Sequence, residues 1–152
     1  YLNSLGFDLT SVDVNPNSIS FLKDVITKED LTNIEPSVYD INSAAIEGQY
    51  DFIFSTVVFM FLKPECVPNI IQNMQAHTNV NGYNLIVSAM DTAKYPCDQG
   101  FSFTFKEGEL QEYYKDWKIV TYNEDIGELH RLDANGNRVK LQFATMLAKR
   151  IK

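Results

Sequence analysis

Apolar positions recur along the chain with two different periods, and the changes of period mark the elements. Residues 7–14 are apolar and β-branched and predict a strand. Asn15-Pro16 follows, a capping side chain and then proline at a first helical position, and Ile19, Leu22 and Ile26 recur at helical spacing. A second strand is expected at about 37–41. The third, Tyr50-Asp51-Phe52-Ile53-Phe54-Ser55, reads almost continuously apolar, as a strand covered on both faces does. Pro64 opens another helical region, with Val67, Ile70, Ile71 and Met74 at i, i+3, i+4 and i+7. Asn81-Gly82 predicts a turn into a strand over 83–90. Residues 91–104 have no period and contain Pro96 and Gly100, and a helix with Leu110, Tyr113 and Tyr114 on its buried face is expected at 106–115. Strands at 117–122 and 139–148 flank Asp133-Ala134-Asn135-Gly136-Asn137. Asn-Gly is a two-residue hairpin signal, because both central residues must tolerate positive φ.

Alternating strands and helices imply an α/β fold with a parallel sheet covered on both faces, and the last two strands add an antiparallel hairpin at one edge. The 152 residues suit one domain, with no repeat, low-complexity tract or linker. The opening Tyr1-Leu2-Asn3-Ser4-Leu5 reads as the last turn of a helix stopped by a left-handed Gly6. Five residues make no helical nucleus alone, so the preceding turns are expected upstream of this sequence, together with the first strand of the sheet.

Composition narrows the function. Hydrophobic residues make up 45% of the chain, enough for a core. Thirteen basic and twenty acidic residues give a net charge of −7, which argues against nucleic-acid binding. No apolar run reaches the length of a membrane span and no signal segment opens the chain. Two cysteines are too few for a disulfide framework, and a cytoplasmic location is expected. Two distant histidines and no paired cysteine motif predict no metal site.

Ligands of open α/β sheets bind beyond the carboxyl ends of the strands, so strand-terminal residues are the candidates. Asp13 ends the first strand and either accepts from a ribose diol, of NAD or S-adenosylmethionine alike, or complements the helix start at Asn15-Pro16. Asp40 is expected to end the next strand; it either accepts from an adenine amino group, with Ile41 packing on the ring, or caps a turn, the commoner role for aspartate. Ser55, Thr56, Val57 and Val58 either line a cofactor or belong to the core. With a two-residue loop at Asn135-Gly136, position 131 lies opposite 140 and 133 opposite 138. Arg131, Arg138 and Lys140 then share a sheet face, and His130 lies on the other. Three cations together make an anion site. Edge charges that block aggregation are the simpler explanation, and a bulge would change which side chains converge. Cys97, on the irregular stretch, reads as a small turn residue or as a thiolate on a lid.

The sequence resembles the bacterial tellurite-resistance methyltransferases, the TehB family. The resemblance lies in Tyr50-Asp51-Phe52-Ile53 with Ser55-Thr56-Val57-Val58, Gly82-Tyr83-Asn84-Leu85-Ile86-Val87, and Ala89-Met90-Asp91-Thr92-Ala93. It continues in Phe105-Lys106-Glu107-Gly108-Glu109-Leu110, Tyr122-Asn123-Glu124-Asp125, Gly127-Glu128-Leu129-His130-Arg131 and Asp133-Ala134-Asn135-Gly136-Asn137-Arg138. The first stretch is generic among methyltransferases; the last three are specific to the family. The resemblance implies a Rossmann-like class I methyltransferase sheet whose first strand and glycine-rich loop belong before Tyr1. It implies S-adenosyl-L-methionine as cofactor. Asp13, with Val14 beside it, would face the ribose, Asp40 and Ile41 the adenine, and Ser55, Thr56, Val57 and Val58 the methionine part. It makes His130, Arg131 and Arg138 the substrate-side residues for a small chalcogen oxyanion, tellurite or selenite.

Three rivals stand beside this expectation. One is a methyltransferase for a small thiol. Another is a non-enzymatic remnant that associates through its exposed sheet edge, as a homodimer for instance. The third, a nicotinamide oxidoreductase, fits the antiparallel final strand pair less well.

Overall fold

Asn15 and Pro16 start the first helix where the sequence predicts. In the computed structural model, which describes all 152 residues from Tyr1 to Lys152, Asn15 is extended and its side chain accepts the Asn17 N–H at 2.9 Å. The chain forms two units, Tyr1–Ile41 and Asn42–Lys152. The first holds β1 (Leu9–Asp13), α1 (Pro16–Lys28) and β2 (Ile34–Val38), with β1 and β2 parallel from Leu9↔Ile34 to Asp13↔Val38. Gly6, at φ +86°, ends a short 3-10 turn over Asn3–Leu5 and donates its N–H to the Asn3 carbonyl at 2.9 Å. β2 begins three residues earlier than expected, because Pro36 lies within it and not before it. Each strand of a two-stranded sheet is an edge, where a proline has no second ladder to interrupt.

The second unit contains β3 (Tyr50–Thr56), α2 (Val67–Ala76), β4 (Thr78–Ala89), α3 (Glu109–Tyr113), β5 (Lys118–Leu132) and β6 (Arg138–Lys149). Its sheet has the order β3-β4-β6-β5, with β3 parallel to β4 and β6 antiparallel to both neighbours. β3, β4 and β5 therefore run the same way, and Thr56, Ala89 and Leu132 leave the sheet at one end. Val67, Ile70, Ile71 and Met74 of α2 are all buried, as their spacing predicts. On the sheet, Ile86, Ala144, Met146 and Ala148 are fully buried. Polar groups sit among them: Thr78 Oγ1 donates to Asn84 Oδ1 at 2.7 Å, Asn84 Nδ2 donates to the Tyr114 hydroxyl at 3.0 Å, and the buried Ser88 hydroxyl has no partner. Burial pushes the Tyr114 phenol well above its ordinary pKa. No helix is long and apolar enough to cross a membrane.

Three expectations need correction. Asn81-Gly82 does not turn into β4 but makes a bulge inside it: Tyr50 pairs with Thr78 while Phe52 pairs with Tyr83, and Asn81 takes φ +69°. A Cβ on Gly82 would lie 2.8 Å from the carbonyl oxygens of both Asn79 and Asp51, so only glycine fits the bulge. The helix expected at 106–115 is shortened to Glu109–Tyr113, starting after a left-handed Gly108. β5 runs on past Tyr122 to Leu132, because Asn123, Glu124 and Asp125 pair with Thr145, Ala144 and Phe143 on an edge strand that tolerates polar side chains.

Tyr114→Phe should leave the Asn84 amide with an unsatisfied buried N–H and lower stability by about 1–3 kcal/mol, measured as a shifted urea midpoint at unchanged m-value.

Candidate active site

Within the first unit the parallel register brings the ends of β1 and β2 to the same side. Asp13 Oδ1 accepts the Asn15 N–H at 2.7 Å, so the helix-start role holds for one carboxylate oxygen. Oδ2 makes no hydrogen bond within the chain. Val14 beside it is exposed. Asp40 does not end a strand as expected: β2 closes at Val38, the Tyr39 N–H makes one further bond to the Asp13 carbonyl at 3.0 Å, and Asp40 lies beyond. Ile41 opens a 3-10 turn over Ile41–Ser43.

Within the second unit, β3 ends in a backbone anomaly. Val57 takes φ +61°, a left-handed conformation that a β-branched residue rarely adopts, while its N–H reaches the Val87 carbonyl at 2.7 Å. Its side chain is 45% exposed and that of Val58 38%. Neither residue belongs to the core, which was the alternative for this stretch. Ser55 is buried, and its hydroxyl has no partner. Phe59 and Met60 are core, whereas Phe61 is exposed and meets Phe101 edge to face.

The hairpin departs most from expectation. Its loop is Asp133 to Asn137, closed by Asp133 N–H to the Asn137 carbonyl at 2.8 Å, and Asp133 Oδ1 accepts the N–H groups of Asn135 and Asn137. Only Gly136 is left-handed there, so the turn is not the two-residue type. Glu128, and not Arg131, faces Lys140, and Leu132 faces Arg138. Between these pairs Leu129, His130 and Arg131 bulge opposite the single Val139. Leu129 and Val139 pack on the Met60, Ala89 and Leu141 cluster, joined by Cys97 and Phe101. His130 and Arg131 are left exposed on the bulge.

The three-cation face therefore does not form. Lys140 has Glu128 at 4.0 Å, while Arg131 and Arg138 make no ion pair. Arg138 instead lines an open cleft of about 700 Å³ with Asp98 and Gln99 of the loop after β4 and with Glu128, Asp133 and Lys140 of the hairpin. His130 and Arg131 do not line it.

The loop after β4 is tied down by residues that sequence reasoning missed. Asp91 Oδ1 accepts the Cys97 N–H at 2.9 Å, and Oδ2 binds Lys106 Nζ at 2.7 Å. The Lys106 hydrogen bond, helped by the Cys97 N–H, holds the Asp91 carboxyl below its ordinary pKa. Thr92 Oγ1 donates to Gln142 Oε1 at 2.7 Å, and Gln142 Nε2 donates to the Glu124 carbonyl at 2.7 Å. The Glu124 carboxylate accepts from the Tyr122 hydroxyl and from the Gly108 N–H. Gln142 carried one sequence signal, a polar residue interrupting an apolar strand. Both cysteines are free thiols.

Comparison with known proteins defines the class first. An S-adenosylmethionine-dependent methyltransferase structure from Methanosarcina mazei superposes with a TM-score of 0.70 at 16% identity, covering 99% of this chain and 85% of that one. At that identity the likeness gives the fold alone, which is the class I methyltransferase fold. The family is shown directly: the model for "Tellurite resistance protein TehB" matches residues 1–147. The "probable S-adenosyl-L-methionine-dependent methyltransferase TehB" of Haemophilus influenzae strain 10810 is 62% identical over 150 residues, covering 99% of this chain and 52% of that protein. The crystal structure of TehB from Haemophilus influenzae matches with a TM-score of 0.95 at 61% identity, over 99% of this chain and 52% of its own. The chain belongs to the TehB family and spans about half the length of these relatives.

The depressed pKa of Asp91 fixes the sign of its pH dependence. Its ion pair supports the loop above the ordinary value of 3.8 and is lost as pH falls through the lowered pKa. Carboxyl-carbon NMR titration should place Asp91 below 3.8, and Lys106→Met should bring it back toward that value.

Proposed function

We propose that this chain is the catalytic portion of an S-adenosyl-L-methionine-dependent methyltransferase whose acceptor is a small chalcogen oxyanion, tellurite or selenite. The observation that carries the acceptor side is Arg138, a guanidinium without an ion pair on a chain of net charge −7, in a cleft at the end of the sheet where β3, β4 and β5 finish. Membership in the TehB family supports the chemistry. Two free thiols suit a reducing cytosol.

S-adenosyl-L-methionine, when bound, supplies an electrophilic methyl carbon on a sulfonium. In the first unit, the open Oδ2 of Asp13 suits a ribose hydroxyl, and Asp40 with Ile41 is assigned to the adenine. In the second, Val57 and Val58 offer exposed apolar surface beside the backbone turn that ends β3 and suit an uncharged alkyl chain, with Ser55 and Thr56 preceding them. Transfer needs a lone pair held in line, which positioning supplies without a strong base. Arg138 orients the oxyanion through charge-assisted, two-point contacts, and Arg131 is assigned to the same acceptor side from the bulge outside the cleft that Arg138 lines. His130, exposed on the same bulge as Arg131, is assigned to tune the protonation of the acceptor.

The carboxylates of Asp98, Glu128 and Asp133 in the same cleft favour a second reading, a small thiol that arrives neutral. Turnover measured side by side on selenite, tellurite and a thiol separates the two. For association, β3 has a strand on one side only within its sheet, and its stacked Phe52 and Phe54 rings are 37% and 50% exposed. That edge is the surface for a homodimer, to be checked by sedimentation.

Arg138→Ala should lower methylation of the oxyanion by about tenfold or more, the loss of one charged hydrogen-bond pair, with S-adenosylhomocysteine affinity by calorimetry changed less than about twofold. Equal losses in both would reject an acceptor-side role for Arg138.

A further inference from the structure

The sheet of the second unit is uneven at the end where the cleft lies. β4 stops at Ala89, opposite Phe143, but β6 and β5 continue as a two-stranded arm to Arg138 and Leu132. The arm overhangs by five residues of β6, roughly 16 Å at 3.3 Å per residue. A two-stranded ribbon twists and bends readily without a third strand beside it. Arg138 sits at its far end, so the position of the guanidinium depends on what holds the root of the arm.

Gln142, one residue beyond the last β4 pair, engages its backbone carbonyl and both ends of its side-chain amide there. Its backbone carbonyl accepts the Met90 N–H at 2.8 Å. Its side-chain oxygen accepts the Thr92 hydroxyl at 2.7 Å, and its amide nitrogen donates to the Glu124 carbonyl across the arm at 2.7 Å. The amide orientation is dictated by chemistry, since the Glu124 carbonyl can only accept. Thr92 also accepts the Tyr95 N–H at 3.2 Å, which leads into the loop that carries Asp98 and Gln99, the opposite wall of the cleft. One side chain thus ties the loop wall to both strands of the arm wall.

We infer that Gln142 is a positioning residue: it sets the separation between the hairpin arm and the loop after β4, and through it the placement of Arg138 toward the acceptor. The inference rests on the acceptor-side reading of Arg138 for its consequence in catalysis, but the clasp itself is a statement about the arm. An apolar side chain at this position loses both tethers and asparagine is one methylene shorter, which would leave the apolar packing of Leu129 and Val139, with Cys97 and Phe101, on the Met60 cluster as the less directional link between arm and loop.

Two measurements on the intact chain test it. Gln142→Leu should raise amide hydrogen exchange in residues 126–132 and 138–141 by about tenfold, the loss of roughly one to two net hydrogen bonds, with exchange in α2 unchanged. In methyl transfer, the same variant should raise the oxyanion KM by about fivefold to tenfold while kcat and S-adenosylhomocysteine affinity stay within about twofold. Thr92→Val, which cuts only the loop tether at similar volume, should move both readouts in the same direction by less. Faster exchange throughout the second unit, or equal losses in KM, kcat and S-adenosylhomocysteine affinity, would show a general structural role and overturn the inference. If wild-type protein that binds S-adenosylhomocysteine methylates neither oxyanion, the proposed acceptor fails, and the exchange data alone decide the clasp: an arm that exchanges no faster in Gln142→Leu rejects it.

Discussion

The pairing of β6 with β4 is the interaction on which the second unit depends. It runs without a break from Tyr83↔Lys149 to Ala89↔Phe143 and turns Ala144, Met146 and Ala148 toward the same face as Ser88, Ile86 and Asn84. Because side chains alternate along a strand, a slip of one residue would move that buried set to the opposite face. The same pairing decides direction. With β6 antiparallel to β4, β5 returns parallel to β4, and the hairpin tip emerges beside the ends of the parallel strands. A topology that serves packing thereby delivers the arginines to the side of the sheet where ligands of such folds bind.

Electrostatics at the tip is local in character. The chain is acidic, and its carboxylates accompany its cations into the cleft, so no long-range positive field draws an anion in. Exposed charges are screened over about 8–10 Å at ordinary ionic strength. Selectivity for an oxyanion would then rest on the planar fork of an arginine held in place, and less on net potential. This makes the mechanical support of the arm as relevant to function as the charge it carries. The polar ties at Asp91, Thr92 and Gln142 supply that support from the loop after β4.

Much of the architecture was legible in the sequence because each signal was local. The Asn15-Pro16 start, the α2 face of Val67, Ile70, Ile71 and Met74 and the left-handed Gly6 all follow from short-range rules, whereas β3 forms where its apolar run predicts but as an edge strand with Phe52 and Phe54 exposed, not as a strand covered on both faces. Errors arose where tertiary pairing overrode a local rule. Asn81-Gly82 has the chemistry of a turn, yet Arg150 pairs with it from the far end of the chain, its N–H on the Gly82 carbonyl and its carbonyl on the Asn81 N–H, both at 2.9 Å, and the segment becomes a bulge. Asn135-Gly136 likewise suggested a two-residue loop, but Asp133 captures two backbone N–H groups and widens it. That wider loop and the bulge at residues 129–131 are why the cations do not share a face. The site was legible as a set of residue types at strand ends; its partners, Lys106 for Asp91 and Gln142 for Thr92, lie 15 and 50 positions away and left almost no trace in the pattern.

The left-handed valine after β3 bears on attempts to make this protein more robust. Glycine is the usual remedy for a strained positive-φ position, and the half-exposed Val57 side chain contributes little packing in return for its backbone tension. Relief at that point would loosen the corner where the sheet meets its ligand end. Engineers seeking heat tolerance would thus find one of the most accessible gains lodged at the corner where β3 leaves the sheet, and toughness and turnover would compete there for a single residue if the proposed cofactor contact holds.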